Sequence, residues 1–271
     1  MKRAGGVFEV LCAWDTLVRA AYRAALGKRQ RSEVRRFFEH FDEEITRMAV
    51  ELRAGAYRFA AYRAFPIRDP KTRVIHAPPF CDRVVHHAIV LAAGAVFERG
   101  AIAHSYACRT GRGQHAALVR LRRWVRDADW FVKLDVEKFY DSVAHDVLRL
   151  QLARRFRERR LLALFDRLLA SDAHAPGRGV PIGALTSQYL GNFYLDPFDH
   201  WATRRRPLVR YLRYMDDMLF LGERATLAGL RRRHAPCSRA WGCASRATAW
   251  PMPVRSACPM WASWCIRTAC G

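Results

Sequence analysis

Tyr211-Leu212-Arg213-Tyr214-Met215-Asp216-Asp217-Met218-Leu219-Phe220-Leu221 is the stretch that decides the fold. Apolar and aromatic residues flank a polar tip on both sides, so the segment predicts two short strands turning at Met215-Asp216-Asp217. Adjacent carboxylates at a hairpin tip between apolar strands repel each other, and a cation beside them removes that cost. A divalent metal is the usual solution. A solvated acidic turn is the plain alternative for a lone Asp-Asp pair.

A second carboxylate-bearing strand lies upstream. Trp130-Phe131-Val132-Lys133-Leu134-Asp135-Val136 reads as a buried strand, and Glu137-Lys138-Phe139-Tyr140-Asp141-Ser142 follows it. Asp135 at the end of that strand would complete a metal-binding set with Asp216 and Asp217, and the Val136 carbonyl is a further oxygen donor. Hard oxygen ligands of this kind suit Mg²⁺, which takes a few carboxylates together with substrate phosphates. Asp141 can serve equally as a cap for the next helix.

Apolar residues recur at helical spacing from Val7 to Ala25, and again from about Ser32 to Leu52, where Gly55 ends the pattern. Tyr57 to Ile75 is rich in aromatic and β-branched residues, with Asp69-Pro70-Lys71 as a turn, and predicts a β-hairpin. Helical patterns follow at Arg83 to Phe97, Gln114 to Arg126, about Ala144 to Arg155 and Arg160 to Ala170. A glycine-rich loop, Gly177 to Gly183, then opens a helix over Ala184 to Trp201. Helices mixed with short strands indicate an α+β fold.

Lys and Arg outnumber Asp and Glu by 47 to 25, a formal charge of +22 with a pI near 10.6. A surplus of that size faces a polyanion, with nucleic acid the leading partner, or is a solvated basic surface. At 271 residues and 51% hydrophobic content the chain can bury one large core or two smaller ones, which excludes a disordered protein. No apolar run is expected to reach the roughly 20 residues that span a bilayer, and the N-terminus lacks a signal-peptide core, so a cytoplasmic protein with no membrane partner is expected.

Five blocks together resemble a known family. The element Asp135-Val136-Glu137-Lys138-Phe139-Tyr140 followed by Tyr214-Met215-Asp216-Asp217 is similar to the first and third palm motifs of reverse transcriptases. Asp69-Pro70-Lys71-Thr72-Arg73-Val74-Ile75 resembles their triphosphate-holding hairpin; a point charge and a bidentate fork suit phosphate oxygens. The blocks Phe80 to His87 and Ser105 to Gly113 resemble two further motifs near the template, and the match is collinear from about residue 10 to 221. The resemblance implies a right-hand polymerase with fingers over 1–110 and palm over 111–223. It implies RNA-directed DNA synthesis with two Mg²⁺ ions, for which Mn²⁺ can substitute, held by Asp135, Val136, Asp216 and Asp217. Lys71, Arg73, Tyr140, Ile182 and Gln188 are the nucleotide-binding candidates; Arg83, Arg109, Arg112 and Tyr214 are the template and primer candidates. Tyr140, five residues after Asp135, takes the place of a side chain that leaves no room for a 2′-OH. An RNA template, a DNA or cDNA primer, deoxynucleoside triphosphates and a small basic accessory protein are the implied partners.

The block Gly179-Val180-Pro181-Ile182-Gly183-Ala184-Leu185-Thr186-Ser187-Gln188 departs from the commoner pattern, which has Gln at the place of Ile182 and Ser-Pro at that of Ser187-Gln188. With Ser105-Tyr106-Ala107-Cys108-Arg109 and Asp82-Arg83-Val84-Val85-His86-His87, it resembles the enzymes of diversity-generating retroelements. Retron and group II intron enzymes are the alternative, and a non-catalytic nucleic-acid-binding remnant is another.

After Glu223 the composition changes. Residues 224–271 contain no Asp, Glu or Lys, yet hold five of the eight Cys and four of the eight Trp. The cysteines form no CxxC pair, which disfavours a zinc site. Back-translation offers another explanation. Read from the third base of each codon, Met260-Trp261-Ala262 must give Val-Gly, and Trp264-Cys265 must give Val; with GC-rich codons Ser256 to Ala269 becomes RVPYVGFVVHPDRL, similar to the primer grip of the family. The tail is therefore expected to be out of frame, with the thumb missing or in the other frame. Without its eight Arg, residues 1–223 still carry 39 basic against 25 acidic residues.

Overall fold

The computed structural model describes residues 2–69, 71–171, 175–204, 209–228 and 245–253. Where one helix is expected from Val7 to Ala25, α1 (Val7–Cys12) and α2 (Trp14–Ala25) are separated by Ala13, whose backbone is extended (φ −66°, ψ 138°). The Ala13 N–H bonds to Val10 O, closing α1, and its carbonyl accepts from Thr16 and Leu17, starting α2. The break lets Leu11 and Cys12 bury together with Leu17, Ala20, Ala21 and Ala24, which one straight helix would spread around its surface. The next predicted helix is likewise split at His40 into α3 (Ser32–Glu39) and α4 (Phe41–Ala54). Aromatic packing accompanies that bend: Phe38 stacks on Phe41 at 5.2 Å, and Phe37 meets Phe80 edge-on at 4.9 Å. Gly55, at φ 69°, caps α4 in the left-handed conformation its position demands.

The hairpin of β1 (Arg63–Asp69) and β2 (Lys71–Ala77) is antiparallel, and α5 (Phe80–Glu98) and α6 (Gln114–Val125) follow. Then come β3 (Trp130–Val136), the single turn α7 (Phe139–Ser142), α8 (His145–Arg155), α9 (Arg159–Ser171) and α10 (Leu185–Arg204). The hairpin of β4 (Arg210–Tyr214) and β5 (Asp217–Gly222) stands where the sequence predicts it. The sequence reading did not anticipate β6 (Ser245–Pro253), a strand of the tail that pairs antiparallel with β3.

Two compact units result, and neither is one continuous stretch: Met1–Arg99 with Val143–Leu190, and Gly100–Ser142 with Gly191–Gly271. A linear cut at residue 110 does not coincide with them. In the first unit, α8, α9 and the loop after them join the N-terminal helices. Ala4 exchanges backbone hydrogen bonds with Arg155 and Arg157, and the Glu158 carboxylate accepts from the amides of Val7 and Phe8 at 3.0 and 3.1 Å, satisfying open donors at the start of α1. Phe97, Phe156 and Phe165 pack edge to face beside them.

The central helix of this unit is α5, which packs on α1, α2 and α3. Its 19 residues are long and apolar enough by length and composition to cross a bilayer, against the expectation that no run comes near that limit. Much of it is buried inside the unit, and it carries Asp82 and His86 fully enclosed, which suits a core helix. Asp82 accepts from Tyr57 Oη at 2.6 Å and from the Ala60 amide at 2.9 Å. His86 bridges Tyr62 Oη (2.9 Å) and Thr186 Oγ1 (2.7 Å).

Burial pushes the His86 imidazole down to about 3 and His87 down to about 4, the latter helped by Lys28, Arg23 and Arg83. The unfolded chain therefore takes up protons below about 6.5 that the folded chain refuses, so stability falls as pH drops from about 6.5 toward 4. The slope for fully buried His86 approaches 1.4 kcal/mol per pH unit, roughly. Urea melts at pH 7 and pH 4.5 check this, and His86→Gln should flatten the difference.

The second unit is built on a four-stranded antiparallel sheet in the order β4-β5-β3-β6. Phe131, Leu212, Leu219 and Leu221 from the sheet pack with Ala117 and Leu121 of α6 and with Tyr106. Every candidate carboxylate lies on this sheet or at its turn.

Candidate active site

Asp135 and Asp217 stand at the same end of two neighbouring antiparallel strands, because the pairing of β3 with β5 ends at Leu134 opposite Met218, with Asp135 the next residue of β3 and Asp217 the residue before Met218. Lys133, two residues before Asp135, shares its face of β3. Its Nζ lies 2.7 Å from Asp217 Oδ1, and both side chains are about four-fifths buried. Sequence reading missed this lysine. The available signal was a cation in a strand that is otherwise apolar up to Asp135. Asp216 sits in the two-residue turn between Tyr214 and Asp217, half-buried, and Val136 is buried at the end of β3. Among the described residues, no group of three or more His, Cys, Asp or Glu is gathered as a ready-made metal cluster.

The turn itself is strained. Met215 adopts φ 52°, a conformation that costs a non-glycine residue about 1–2 kcal/mol. Lys138, after β3, does the same at φ 46°. Left-handed residues thus stand beside both carboxylate-bearing strand ends, a pattern that persists where surrounding contacts enforce it.

At the Met215 turn the contact comes from Arg213, which is 1% exposed. Its guanidinium donates from Nε to Asp199 Oδ1 (2.7 Å) and from Nη2 to Asp199 Oδ2 (2.6 Å), a bidentate pair with a fully buried carboxylate. Nη1 donates to Asn192 Oδ1 (2.8 Å) and to the Met215 carbonyl (2.9 Å). Tyr211 Oη adds a bond to Asp199 at 2.7 Å. Burial opposes the Arg213 charge, but the attraction and hydrogen bonds of Asp199 raise its pKa overall. Burial, and then Asp199, pushes the Tyr211 hydroxyl up as well.

Tyr140 lies on α7, half-buried, with its ring 5.3 Å from Phe139. Gly191 of α10 makes room for the pair: a Cβ there would come within 2.9 Å of Phe139 and 3.9 Å of Tyr140. Tyr214, the last residue of β4, packs beside the Tyr106 cluster. Arg109 donates to the carbonyls of Ile102 and Ser105, both at 2.7 Å, so it fastens its own loop. Arg112 is exposed, donates to Ala103 O at 2.7 Å and lies over the Tyr106 ring.

In the first unit, Lys71 and Arg73 occupy β2 opposite Asp69 and Ile67, while Pro70 of the predicted turn falls outside the described residues. Ile182 accepts a backbone hydrogen bond from His76 at 2.8 Å, which ties its loop to β2. Gly183 follows at φ 114°, where a Cβ would meet Ile75 at 2.8 Å. Gln188 lies on the first turns of α10, half-buried. Arg83 borders a cavity of about 540 Å³ with Arg31 and Arg63, and its Nη2 pairs with Glu33 at 2.6 Å.

The family described as "Reverse transcriptase (RNA-dependent DNA polymerase)" matches residues 67–241, from the β1–β2 hairpin past the β4–β5 turn. The chain belongs to the reverse transcriptase family. Its curated relatives include the group II intron-encoded protein LtrA of Lactococcus lactis subsp. cremoris, 25% identical over 170 residues, covering 59% of this chain and 28% of that protein. Protein YkfC of Escherichia coli (strain K12) is 24% identical over 227 residues, covering 67% of this chain and 60% of its own. The putative COX1/OXI3 intron 1 protein of Saccharomyces cerevisiae is 24% identical over 166 residues, 58% of this chain and 20% of that protein. The chain therefore spans between a fifth and three-fifths of the length of these relatives. Among solved structures, a partial Cas6-RT-Cas1–Cas2 complex shares the fold over 88% of this chain and 42% of its own, at TM-score 0.50 and 17% identity.

The donor set of this chain suits a divalent cation by its chemistry, three carboxylates offering hard oxygen ligands. Asp135 and Asp217 lie at the same end of adjacent strands, Asp216 is next to Asp217 in the turn, and Asp217 already takes a cationic partner in Lys133. Asp135, Asp216 and Asp217 are the residues that would hold it.

Proposed function

We propose that the chain is the fingers-and-palm part of an RNA-directed DNA polymerase, and the carrying observation is that Asp135 and Asp217 stand at the same end of the adjacent strands β3 and β5, beside the turn that holds Asp216. A bound divalent metal would supply charge to lower the pKa of the attacking hydroxyl and steady the leaving group. The primer 3′-oxygen forms a bond to the α-phosphorus of the incoming nucleotide, and the bond to pyrophosphate breaks. Lys71 and Arg73 neutralise the triphosphate, and the basic excess over residues 1–223 attracts the nucleic acid. Primer extension on an RNA template tests this reading. No product from either the present chain or a version corrected after Glu223 would refute it.

Tyr140 sets the sugar preference in this reading. Tyr140→Ala should raise ribonucleotide incorporation at least about tenfold, the discrimination a well-fitted group provides in a pocket. Competition between dGTP and GTP in single-nucleotide extension measures it, and an unchanged ratio would remove the gate.

The subtype we favour is that of diversity-generating retroelements, supported by Ile182 and Ser187-Gln188. An apolar Ile182 offers no hydrogen bond to nucleotide or sugar, so pairing geometry is enforced less strictly. The curated relatives named for group II introns favour the second reading, an intron-type enzyme. Sequencing the cDNA separates them: errors concentrated opposite template adenines support the first, and uniform fidelity supports the second. We further propose that residues beyond Glu223 are read out of frame, because the shifted reading of Ser256 to Ala269 resembles a primer grip. Resequencing of the gene decides this, and an unbroken frame with no coherent alternative product would overturn it.

A further inference from the structure

We propose that the buried Arg213–Asp199 pair is a positioning device for the carboxylate turn, holding the Met215 carbonyl so that the strained turn presents Asp216 and Asp217 in one fixed orientation. Met215 is mismatched to its turn. A two-residue hairpin turn with positive φ at its first central position normally has glycine there, and this chain has Met215 at φ 52°. A residue with a Cβ leaves that conformation unless neighbouring contacts hold it. The side chain placed to hold it is Arg213, two residues earlier on β4, whose Nη1 donates to the Met215 carbonyl at 2.9 Å.

An ion pair serving stability alone needs Arg213 and Asp199 and nothing more. Here the guanidinium is braced from several sides. Asp199 grips Nε and Nη2, Asn192 takes Nη1 through its side chain and Nη2 through its backbone carbonyl (3.3 Å), and the remaining Nη1 direction is spent on the turn. Asp199 and Asn192 both lie on α10, so the clamp refers the turn to a rigid helix. Asn192 Nδ2 also donates to the Ala107 carbonyl at 2.8 Å, and the amide and carbonyl of Arg213 bond to His104 O and Tyr106 N. The side chain and backbone of Arg213 are thus fixed together, and the hydrogen bond to Met215 acts as a stop against which the turn rests. Its consequence for catalysis rests on the polymerase reading above. The geometry of the clamp does not.

Two variants separate positioning from simple support. Arg213→Lys keeps a cation beside Asp199 but has one ammonium where the fork had five donors, so it cannot serve Asp199 and Met215 together. The double variant Arg213→Met/Asp199→Leu replaces a buried pair by apolar groups of similar bulk, a change that buried pairs often tolerate. Both are made in the full chain and read by circular dichroism, by hydrogen exchange of the amides from Tyr214 to Met218, by Mn²⁺ binding in electron paramagnetic resonance, and by kcat and KM in primer extension. We expect folded proteins with at least about tenfold faster exchange at Asp216 and Asp217, at least about tenfold weaker Mn²⁺ binding, and a fall in kcat with little change in the nucleotide KM. Adding Met215→Gly to Arg213→Lys should recover most of the Mn²⁺ affinity, because glycine adopts this φ unaided. Wild-type exchange and Mn²⁺ affinity in either folded variant would overturn the proposal, as would failure of both to fold, which makes the pair a plain structural support. Should no version, wild type included, extend a primer while the exchange difference persists, the polymerase reading falls and the clamp stands.

Discussion

Asp135→Ala and Asp217→Ala should each reduce primer extension at least about a thousandfold, because several kcal/mol of transition-state charge stabilisation pass through a metal-holding carboxylate and each 1.36 kcal/mol is a factor of ten. Folding should barely change. Asp217 and Lys133 are about a fifth exposed, so the pair retains some solvent screening, and removing a carboxylate from a crowded acidic turn also relieves repulsion. Asp141→Ala is the matched control. It lies on the single-turn helix α7, one residue beyond Tyr140, and should keep activity within about threefold if its role is local capping. Quenched primer extension with an RNA template measures all three, alongside thermal melts. A variant at Asp135 or Asp217 that retains a tenth of wild-type activity would remove that residue from the metal-holding set.

The second large effect concerns stability. Asp199→Leu leaves the Arg213 guanidinium buried without its counter-charge, and breaking one side of such a pair costs about 3–5 kcal/mol. Tyr211 Oη loses its acceptor at the same time. For a domain of this size the loss corresponds to a fall in melting temperature of roughly 10 °C or more. Urea denaturation of the single variant against the Arg213→Met/Asp199→Leu protein reads the effect directly, and the double variant should regain most of the lost stability. If the single variant melts within about 1 kcal/mol of wild type, the burial of this pair is not what the geometry indicates.

What the sequence made legible follows from the range of the signals involved. The β4–β5 hairpin and β3 are local patterns, apolar runs ending in carboxylates, and both stand where they were expected. Helix positions were likewise readable from periodicity, but the breaks at Ala13 and His40 were not. Neither site has a proline or glycine to mark it, and the breaks arise from the way distant apolar residues pack together. Asp199 and Arg213 stand 14 residues apart on a helix and a strand, so nothing in the local pattern tells the pair from two surface charges. Lys133 was nearer to being readable, since it interrupts an apolar strand two residues before Asp135. Of the template candidates, Arg109 donates to carbonyls of its own loop, and Arg83 pairs with Glu33, a partner that lies outside the blocks the resemblance singled out.

The strand order β4-β5-β3-β6 has a consequence for handling the protein. β3, which carries Asp135, is an interior strand because β6 from the tail covers its outer side. Pro251 falls where the register between β3 and β6 slips, and Pro253 closes the strand; prolines of this kind are accommodated at sheet margins. A shortened chain that stops after β5 would strip that cover and turn β3 into an open margin, rich in apolar residues, with a row of unsatisfied N–H and C=O groups. Such margins recruit other chains. Trimming the tail to obtain a tidier palm would therefore favour self-association through the very strand that bears Asp135.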